Sequence, residues 1–311
     1  MADISAENIS KYYRKSKKKK GEKITALDAI TFSVEKGELF GIIGPDGAGK
    51  TSLFRVLTTL LLPDTGNATV SGHNVVKDYA AIRNIIGYMP GKFSLYLDLT
   101  VEENINFFAT LFGTTVQKNY DLVKDIYKQI EPFKTRRAGD LSGGMKQKLA
   151  LCCALIHKPV VLFLDEPTTG VDAVSRKEFW EMLKHLKEQG ITILVSTPYM
   201  DEAVLCDRIA LMQDAKMLSV DTPANIEKSY PDALFALKSD NMYKLLNDIH
   251  SYGQALSAFA FGEFIHVSSK KDDRTFEAGL KKYLEDKEHK ELEIKSIRPD
   301  IEDCFIRLLK K

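Results

Sequence analysis

The segment GPDGAGKT at residues 44–51 constrains the fold of this chain more than any other part of the sequence. It fits the pattern G-x-x-x-x-G-K-[ST] and stands between a β-rich apolar run (GELFGIIG, 37–44) and a helical run (SLFRVLTTLL, 52–61). Its glycines let the backbone turn tightly, so that N–H groups can converge on phosphate oxygens at the start of a helix. Strand, loop and helix together predict a phosphate-binding loop in an α/β domain.

The side chains of this loop have distinct expected roles. Lys50 is expected to reach the outer phosphates, and Thr51 to supply a hydroxyl to Mg²⁺. Asp46 adds a negative charge close to the phosphates and is expected to weaken binding slightly, unless it faces a cation. The candidate phosphate-binding residues are Gly44, Pro45, Asp46, Gly47, Ala48, Gly49, Lys50, Thr51 and Ser52.

A second apolar run, VVLFL at residues 160–164, leads directly into the acidic pair Asp165 and Glu166. A buried strand of this kind can deliver Asp165 to a Mg²⁺ site, where it would act through water. Glu166 would then be placed to polarise a water molecule for attack on the terminal phosphate. The alternative is that the pair serves only as turn residues at a strand end.

The order of the predicted elements indicates two domains. Near-continuous apolar strands, with ITILVS at 191–196 as a third example, predict a parallel sheet covered on both faces. We expect this α/β domain to span residues 1–225. Residues 226–311 predict a smaller α+β unit in the order strand, helix, strand, strand, helix, strand, helix, which is ferredoxin-like with an added terminal helix capped by Asp300.

Composition excludes several classes of function. Lys and Arg number 44 and Asp and Glu 43, so charge gives no support for nucleic-acid binding. Without an apolar run of about 18 residues or a visible secretory signal, the sequence predicts neither a membrane span nor secretion. The four cysteines are expected to be reduced and mostly buried. The basic block RKSKKKK (14–20) is either a solvated loop between strands or a contact for acidic lipid headgroups or an acidic partner.

The segment LSGGMKQK at residues 141–148 could by itself be a loop that leads into a helix, with Ser142 as the N-cap. Combined with the two preceding motifs, it resembles the signature motif of ABC-type ATPases. That resemblance implies a head-to-tail dimer in which the signature of one subunit closes over the γ-phosphate held by the other. The residues that would complete the partner's site are Leu141, Ser142, Gly143, Gly144 and Gln147.

Further segments extend the resemblance over residues 5–225. Tyr13 stands where the family stacks an aromatic ring on adenine, with Tyr12 as the neighbouring candidate, and Asp172 matches an aspartate that crosses the dimer interface. Segments within residues 86–109 resemble exporter ATPases for drugs, lipids and polysaccharides, which implies a helical subdomain at about 92–155. The implied cofactors are ATP and Mg²⁺.

Two positions depart from the family pattern. The family usually has glutamine where Gly91 stands and histidine where Pro198 stands, and both of these side chains contact the reacting groups around the γ-phosphate. Proline has neither a side-chain donor nor a backbone N–H. Nucleotide binding is therefore expected to persist while hydrolysis is impaired. The alternative is that the chemistry tolerates both changes, with Thr197 or Tyr199 bonding the phosphate instead.

The resemblance implies an ATPase subunit of an ABC exporter, peripheral on the cytoplasmic face of the cell membrane, that drives separate membrane-spanning permease subunits. An intact signature beside an impaired site favours a heterodimer with a second ABC ATPase, and a homodimer ranks second. Other possibilities are a non-enzymatic ATP-binding regulatory subunit and, less favoured, a soluble ABC ATPase of translation or DNA repair.

Overall fold

The computed structural model describes residues 2–14, 23–270 and 273–309. Its strands are β1 (Ala2–Arg14), β2 (Lys23–Glu35), β3 (Leu39–Ile43), β4 (Thr65–Val70), β5 (His73–Asn74), β6 (Ile86–Met89), β7 (Val161–Asp165), β8 (Thr192–Thr197), β9 (Arg208–Gln213), β10 (Lys216–Asp221), β11 (Ala233–Lys238), β12 (Ser257–Phe261), β13 (Phe264–Ser269) and β14 (Glu293–Ile297). Its α-helices are α1 (Lys50–Leu57), α2 (Tyr79–Ile85), α3 (Val101–Leu111), α4 (Tyr120–Ile130), α5 (Gly143–Leu155), α6 (Ala173–Glu188), α7 (Pro223–Lys228), α8 (Met242–His250), α9 (Asp273–Asp286) and α10 (Ile301–Leu308).

A six-stranded sheet in the order β10-β9-β3-β8-β7-β6 forms the centre of the first unit. All neighbouring strands in it run parallel except β10, which pairs antiparallel with β9. Strands β3, β7 and β8 are buried at every residue. The predicted parallel sheet covered on both faces is confirmed, because only strands without a solvent face read as uninterrupted apolar runs.

An antiparallel sheet in the order β2-β1-β4-β5 shares one core with helix α1 and the central sheet. The ring of Phe54 in α1 meets that of Phe163 in β7 edge to face, with centroids 6.1 Å apart. Phe32 of β2 similarly packs on Phe40 of β3 at 5.5 Å. Helix α1, and with it the end of the phosphate-binding loop, is thus fixed to the sheet by buried aromatic contacts.

Helices α3, α4 and α5 lie between β6 and β7 in the chain, within the range expected for a helical subdomain. Helix α3 begins with a capping box, in which Thr100 and Glu103 each bond the other's backbone N–H. The amide of buried Asn104 bonds the backbone of the preceding loop at Tyr96, at distances of 3.0 and 3.1 Å. The loop that follows β6 is therefore tied to α3.

The chain divides into two compact units, Met1–Pro223 and Ala224–Lys311. The second has an antiparallel sheet in the order β12-β13-β11-β14, with α8 and α9 between its strands in the chain, which matches the predicted ferredoxin-like arrangement. Asp300 caps α10 as expected. The boundary lies two residues before the expected one, and all of α7 after Pro223 belongs to this unit, where the Ile226 carbonyl contacts the Cys304 thiol.

Cys152, Cys153, Cys206 and Cys304 are all free and buried, as predicted. Along the described ranges, every helix is too short or too polar to cross a membrane. The basic block, apart from Arg14, lies outside the described residues.

Candidate functional site

The candidate residues gather at the carboxyl edge of the central sheet. Strand β3 ends at the phosphate-binding loop, β7 ends with Asp165, and β8 ends with Thr197. The Gly44 N–H donates to the Thr197 carbonyl at 3.2 Å, which joins the first residue of the loop to the end of β8. Since parallel strands present their carboxyl ends at one edge, residues far apart in sequence share one site.

The path of the phosphate-binding loop depends on glycine. Gly49 has φ of 111°, and a Cβ atom there would lie only 2.3 Å from the carbonyl oxygen of Ala26. No other residue can occupy this conformation in this space. Helix α1 begins at the next residue, so its first N–H groups, which have no partner within the helix, lie at the end of the loop.

Lys50 is 3% exposed and connects the loop to the acidic pair. Its Nζ donates to the carbonyls of Gly44 at 2.7 Å and Pro45 at 3.0 Å, and lies 3.0 Å from Glu166 Oε1. A buried ammonium group in this position is a strong anion site. A phosphate bound by the loop would compete with Glu166 for the same cation.

Asp165 at the end of β7 is 1% exposed. Its carboxylate accepts a hydrogen bond from Ser196 Oγ at 2.7 Å and is also hydrogen-bonded to the Thr51 hydroxyl. Burial raises the pKa of Asp165 above its ordinary value, and these two hydrogen bonds oppose that rise. A carboxylate next to a hydroxyl is the hard oxygen donor set that Mg²⁺ prefers, so the residues present fit this ion.

Glu166 has a left-handed backbone, with φ of 51°. Its N–H donates to both the carbonyl of Ser196, at 3.1 Å, and the Ser196 hydroxyl, at 3.0 Å. Ser196 thus orients both members of the acidic pair, although the motifs did not single it out. The available signal was a polar residue near the end of the otherwise apolar run ITILVS.

The two residues that depart from the family pattern lie at this same edge. A Cβ atom on Gly91 would approach the Asp165 carbonyl oxygen to 3.0 Å, so the chain after β6 runs close against the end of β7. Pro198 directly follows β8. The hydroxyl of Thr197 donates to Glu202 and accepts from the Tyr199 N–H at 3.1 Å, so its proton is already used within the protein.

Tyr13 of β1 also reaches the loop region. Its hydroxyl lies 3.3 Å from Ser52 Oγ in helix α1. Tyr12, the neighbouring candidate, instead has Lys23 over its ring at 5.5 Å. Of the two tyrosines, Tyr13 is therefore the one that lies within hydrogen-bonding distance of a candidate phosphate-binding residue.

The signature residues form a second group, against the start of helix α6. Ser142 caps α5 by accepting from the Met145 N–H at 3.4 Å, as expected. A Cβ atom on Gly144 would lie 2.8 Å from Ser175 Oγ, which shows how closely the two helix starts pack. Asp172 caps α6. Ser142, Gly143 and Asp172 are exposed, while Leu141 is buried and Gln147 half-buried.

Comparison with known proteins agrees with this geometry. The ABC transporter family model matches residues 27–169. The Nod factor export ATP-binding protein I of Rhizobium sp. (strain N33) is 33% identical over 296 residues, which cover 94% of each chain. The chain belongs to the ATP-binding proteins of ABC transporters.

Two further ABC proteins illustrate the range of the similarity. The probable multidrug ABC transporter ATP-binding protein YbhF of Escherichia coli (strain K12) is 38% identical over 292 residues. The match covers 91% of this chain but 49% of YbhF, so the chain spans about half the length of that relative. The dimeric structure of MJ0796, a bacterial ABC transporter cassette, superposes with a TM-score of 0.63 at 25% identity, covering 70% of this chain and 98% of MJ0796.

Proposed function

We propose that the chain is the ATP-binding subunit of an ABC exporter, that its own ATP site hydrolyses slowly, and that its signature motif completes the site of a partner subunit. The observation that carries this proposal is the composition of the carboxyl edge. Lys50, Asp165 and Glu166 converge there, but the two flanking positions hold Gly91 and Pro198.

Binding of ATP would use the residues that the chain retains. The loop N–H groups and Lys50 would hold the phosphates, Tyr13 would stack on adenine, and Thr51 and Asp165 would hold Mg²⁺. The bound ion would neutralise charge that develops on the phosphates. Phosphates that take Lys50 as their partner would release Glu166, whose carboxylate could then polarise the attacking water.

Hydrolysis would be slow because two transition-state contacts are absent. Pro198 offers no donor toward the γ-phosphate, and Gly91 offers no side chain toward Mg²⁺ or water. Removal of one preorganised donor typically lowers turnover by about 10²–10³-fold. Losses at one site are not additive, so two absent groups need not multiply this factor.

The exposed signature residues favour a dimer with unlike sites. In a heterodimer, Ser142, Gly143 and Gly144 would cover ATP in a fully equipped partner, whereas a homodimer would contain two weak sites. The names of the relatives, which refer to multidrug transport and Nod factor export, support the role of an exporter subunit. The subunit would then lie on the inner face of the membrane.

A groove beside Gly91 is the proposed contact for the permease. Its volume is about 340 Å³, and its walls include Phe93, Phe108 and Phe112 together with Gly91. The adjoining loop exposes half of the side chain of Tyr96 (50%). An apolar groove next to the reaction site would let a docked helix of the permease sense nucleotide-driven closure.

Complementation between a variant of the full chain and the parent chain tests the proposal. The first carries Pro198→His together with Ser142→Arg, which restores a donor to its own site but blocks its signature. The second is the parent chain, with an intact signature and Pro198. In the mixture, the parent's signature can complete the histidine-bearing site, so ATP turnover should exceed the sum of the separate rates by roughly tenfold or more.

Equilibrium ATP binding, measured for each chain, is the control and should be similar in both. Turnover that stays equal to the sum of the separate rates would contradict the proposal that the signature acts on a partner site. Tight binding with no turnover in any mixture would favour the non-enzymatic regulatory subunit instead.

A further inference from the structure

A buried carboxylate joins the two segments that flank the proposed γ-phosphate position. Glu202 lies in the short helical turn Met200–Leu205 and is 3% exposed. Its Oε2 accepts from the hydroxyl of Thr168, at 3.1 Å, and from that of Thr197. Thr168 follows Glu166 by two residues and Thr197 immediately precedes Pro198, so one oxygen bridges both segments.

The other oxygen of Glu202 faces a cation. Within the described ranges, Oε1 receives no hydrogen bond, and Arg176 Nε lies 3.8 Å away. Arg176 is held in place by Asp201, at 3.3 Å, and by the ring of Tyr199, 4.5 Å from the guanidinium carbon. A glutamine could still accept from both hydroxyls through its amide oxygen, so removal of the bridge requires a side chain of similar size without a strong acceptor, such as methionine.

The bridged segments have local turns that the bridge can stabilise. The N–H of Thr169 donates to the Glu166 carbonyl at 3.2 Å, and that of Val171 to the Thr168 carbonyl at 3.3 Å. On the other side, the N–H of Tyr199 donates across Pro198 to Thr197 Oγ1 at 3.1 Å. Every one of these turns includes, or lies next to, a threonine that Glu202 holds.

We infer that Glu202 is a positioning residue that fixes the spacing between the Glu166 turn and the Pro198 segment through Thr168 and Thr197. The inference rests on the proposed function, since that function makes these two segments the walls of the γ-phosphate site. The scaffold for a catalytic side chain at position 198 is then still present, although Pro198 cannot use it. Glu202 itself acts only through the two threonines.

Amide hydrogen exchange of the full chain tests the bridge without requiring catalysis. In Glu202→Met, the amides of Thr169, Val171 and Tyr199 should exchange about tenfold faster or more, because their turns lose an anchor. Asp201→Asn is the control, since Asp201 also contacts Arg176 but neither threonine, and it should leave these amides unchanged. If Glu202→Met fails to fold, Thr168→Val removes one hydroxyl and should affect Thr169 and Val171 alone.

Faster exchange throughout the first unit, or unchanged exchange at all three amides, would overturn the positioning role. ATP turnover then gives a second readout. The increase in turnover caused by Pro198→His should fall roughly tenfold or more when Glu202→Met is added and persist when Asp201→Asn is added, with ATP affinity unchanged. A Pro198→His variant without any gain would count against the proposed function, while the exchange result would still decide this inference.

Discussion

The phosphate-binding loop and the segments after β6 and β8 lie at the same sheet edge but differ in what they have kept. The loop retains its glycines and Lys50, with Asp165 bonded to Thr51 beside it. The two flanking segments carry Gly91 and Pro198, at the positions where the resemblance usually implies a glutamine and a histidine. In the proposed function, groups that bind ground-state phosphates and groups that act in the transition state would stand on different elements, so one set could change while the other persists.

Lys50→Ala should give the largest effect on ATP affinity, because it removes the cation that is expected to hold the phosphates. The substitution deletes a buried cation that makes three polar contacts. Hydrogen bonds to charged groups contribute about 1.5–3 kcal/mol, so ATP affinity should fall roughly 10–100-fold. Equilibrium titration with a fluorescent ATP analogue would measure the change.

The matched control for Lys50→Ala is Lys216→Ala, whose side chain is 64% exposed and pairs with Asp28. It should leave affinity unchanged. Retained affinity in Lys50→Ala would mean that the loop N–H groups bind phosphate without the lysine.

Gly144→Ala should lower the free energy of unfolding. This glycine belongs to the signature motif, which keeps the family pattern and packs closely against helix α6. Its Cβ would lie 2.8 Å from Ser175 Oγ, whereas a Cβ on Gly143 would meet its nearest atom at an ordinary 3.5 Å. Overpacking of this kind costs about 1–3 kcal/mol. Urea denaturation should therefore show a lower midpoint for Gly144→Ala than for Gly143→Ala, and equal midpoints would refute the close contact.

Ser196→Ala should change the pH dependence of Mg²⁺ use, because the Ser196 hydrogen bond opposes the burial that raises the pKa of Asp165. Mg²⁺ needs the ionised carboxylate, so the Mg²⁺-dependent part of ATP affinity is lost as pH falls through this pKa. Without Ser196 the pKa of Asp165 rises further, and this loss should begin at a higher pH. Calorimetric titration with and without Mg²⁺ across the acidic range would detect the shift.

The raised pKa of Asp165 has the opposite consequence for stability. The pKa of Asp165 in the folded chain lies above its ordinary value of 3.8, so its buried charge destabilises the fold above the folded pKa, and this penalty is relieved as pH falls through it.

The control for Ser196→Ala is Ser268→Ala, which removes another buried hydroxyl, in the second unit. An equal pH shift in both variants would rule out a specific role for Ser196.

Asp46→Asn should give the smallest effect, because the side chain is exposed and solvent screens its charge. We expect ATP affinity to rise by no more than about threefold at low salt, which is the size of a weak surface interaction, and the gain to vanish at high salt. Asp98→Asn, at another exposed aspartate, should have no effect on affinity. A large gain would show that Asp46 itself restricts binding.

The sequence was enough to predict the parallel sheet and to nominate the residues now found at its carboxyl edge. The pattern that contains Lys50 is typical of a strand, a turn and a helix, and the short apolar run before Asp165 favours an internal strand. The ferredoxin-like order of the second unit followed from the alternation of its strands and helices. Such local patterns can be recognised in the sequence because the spacing of apolar residues in each element reflects the faces that it buries.

Contacts between distant segments were beyond the sequence. Ser196 and Glu202 look like ordinary polar residues next to a strand end, and only the folded chain brings them to Asp165 and Thr168. The space around Gly91 was equally invisible, although its 3.0 Å approach to the Asp165 carbonyl means that Gly91→Gln would require the loop to shift. These features depend on tertiary packing, which no single-sequence pattern encodes.

The most direct test of the central claim is steady-state ATP turnover of the parent chain beside Pro198→His, with Glu166→Gln as the inactive reference and ATP affinity measured for each. Our account predicts that the parent binds ATP yet turns over little faster than Glu166→Gln. It also predicts that Pro198→His raises turnover about tenfold or more. A parent chain that turns over rapidly, with Pro198→His unchanged, would contradict the claim that this site is impaired.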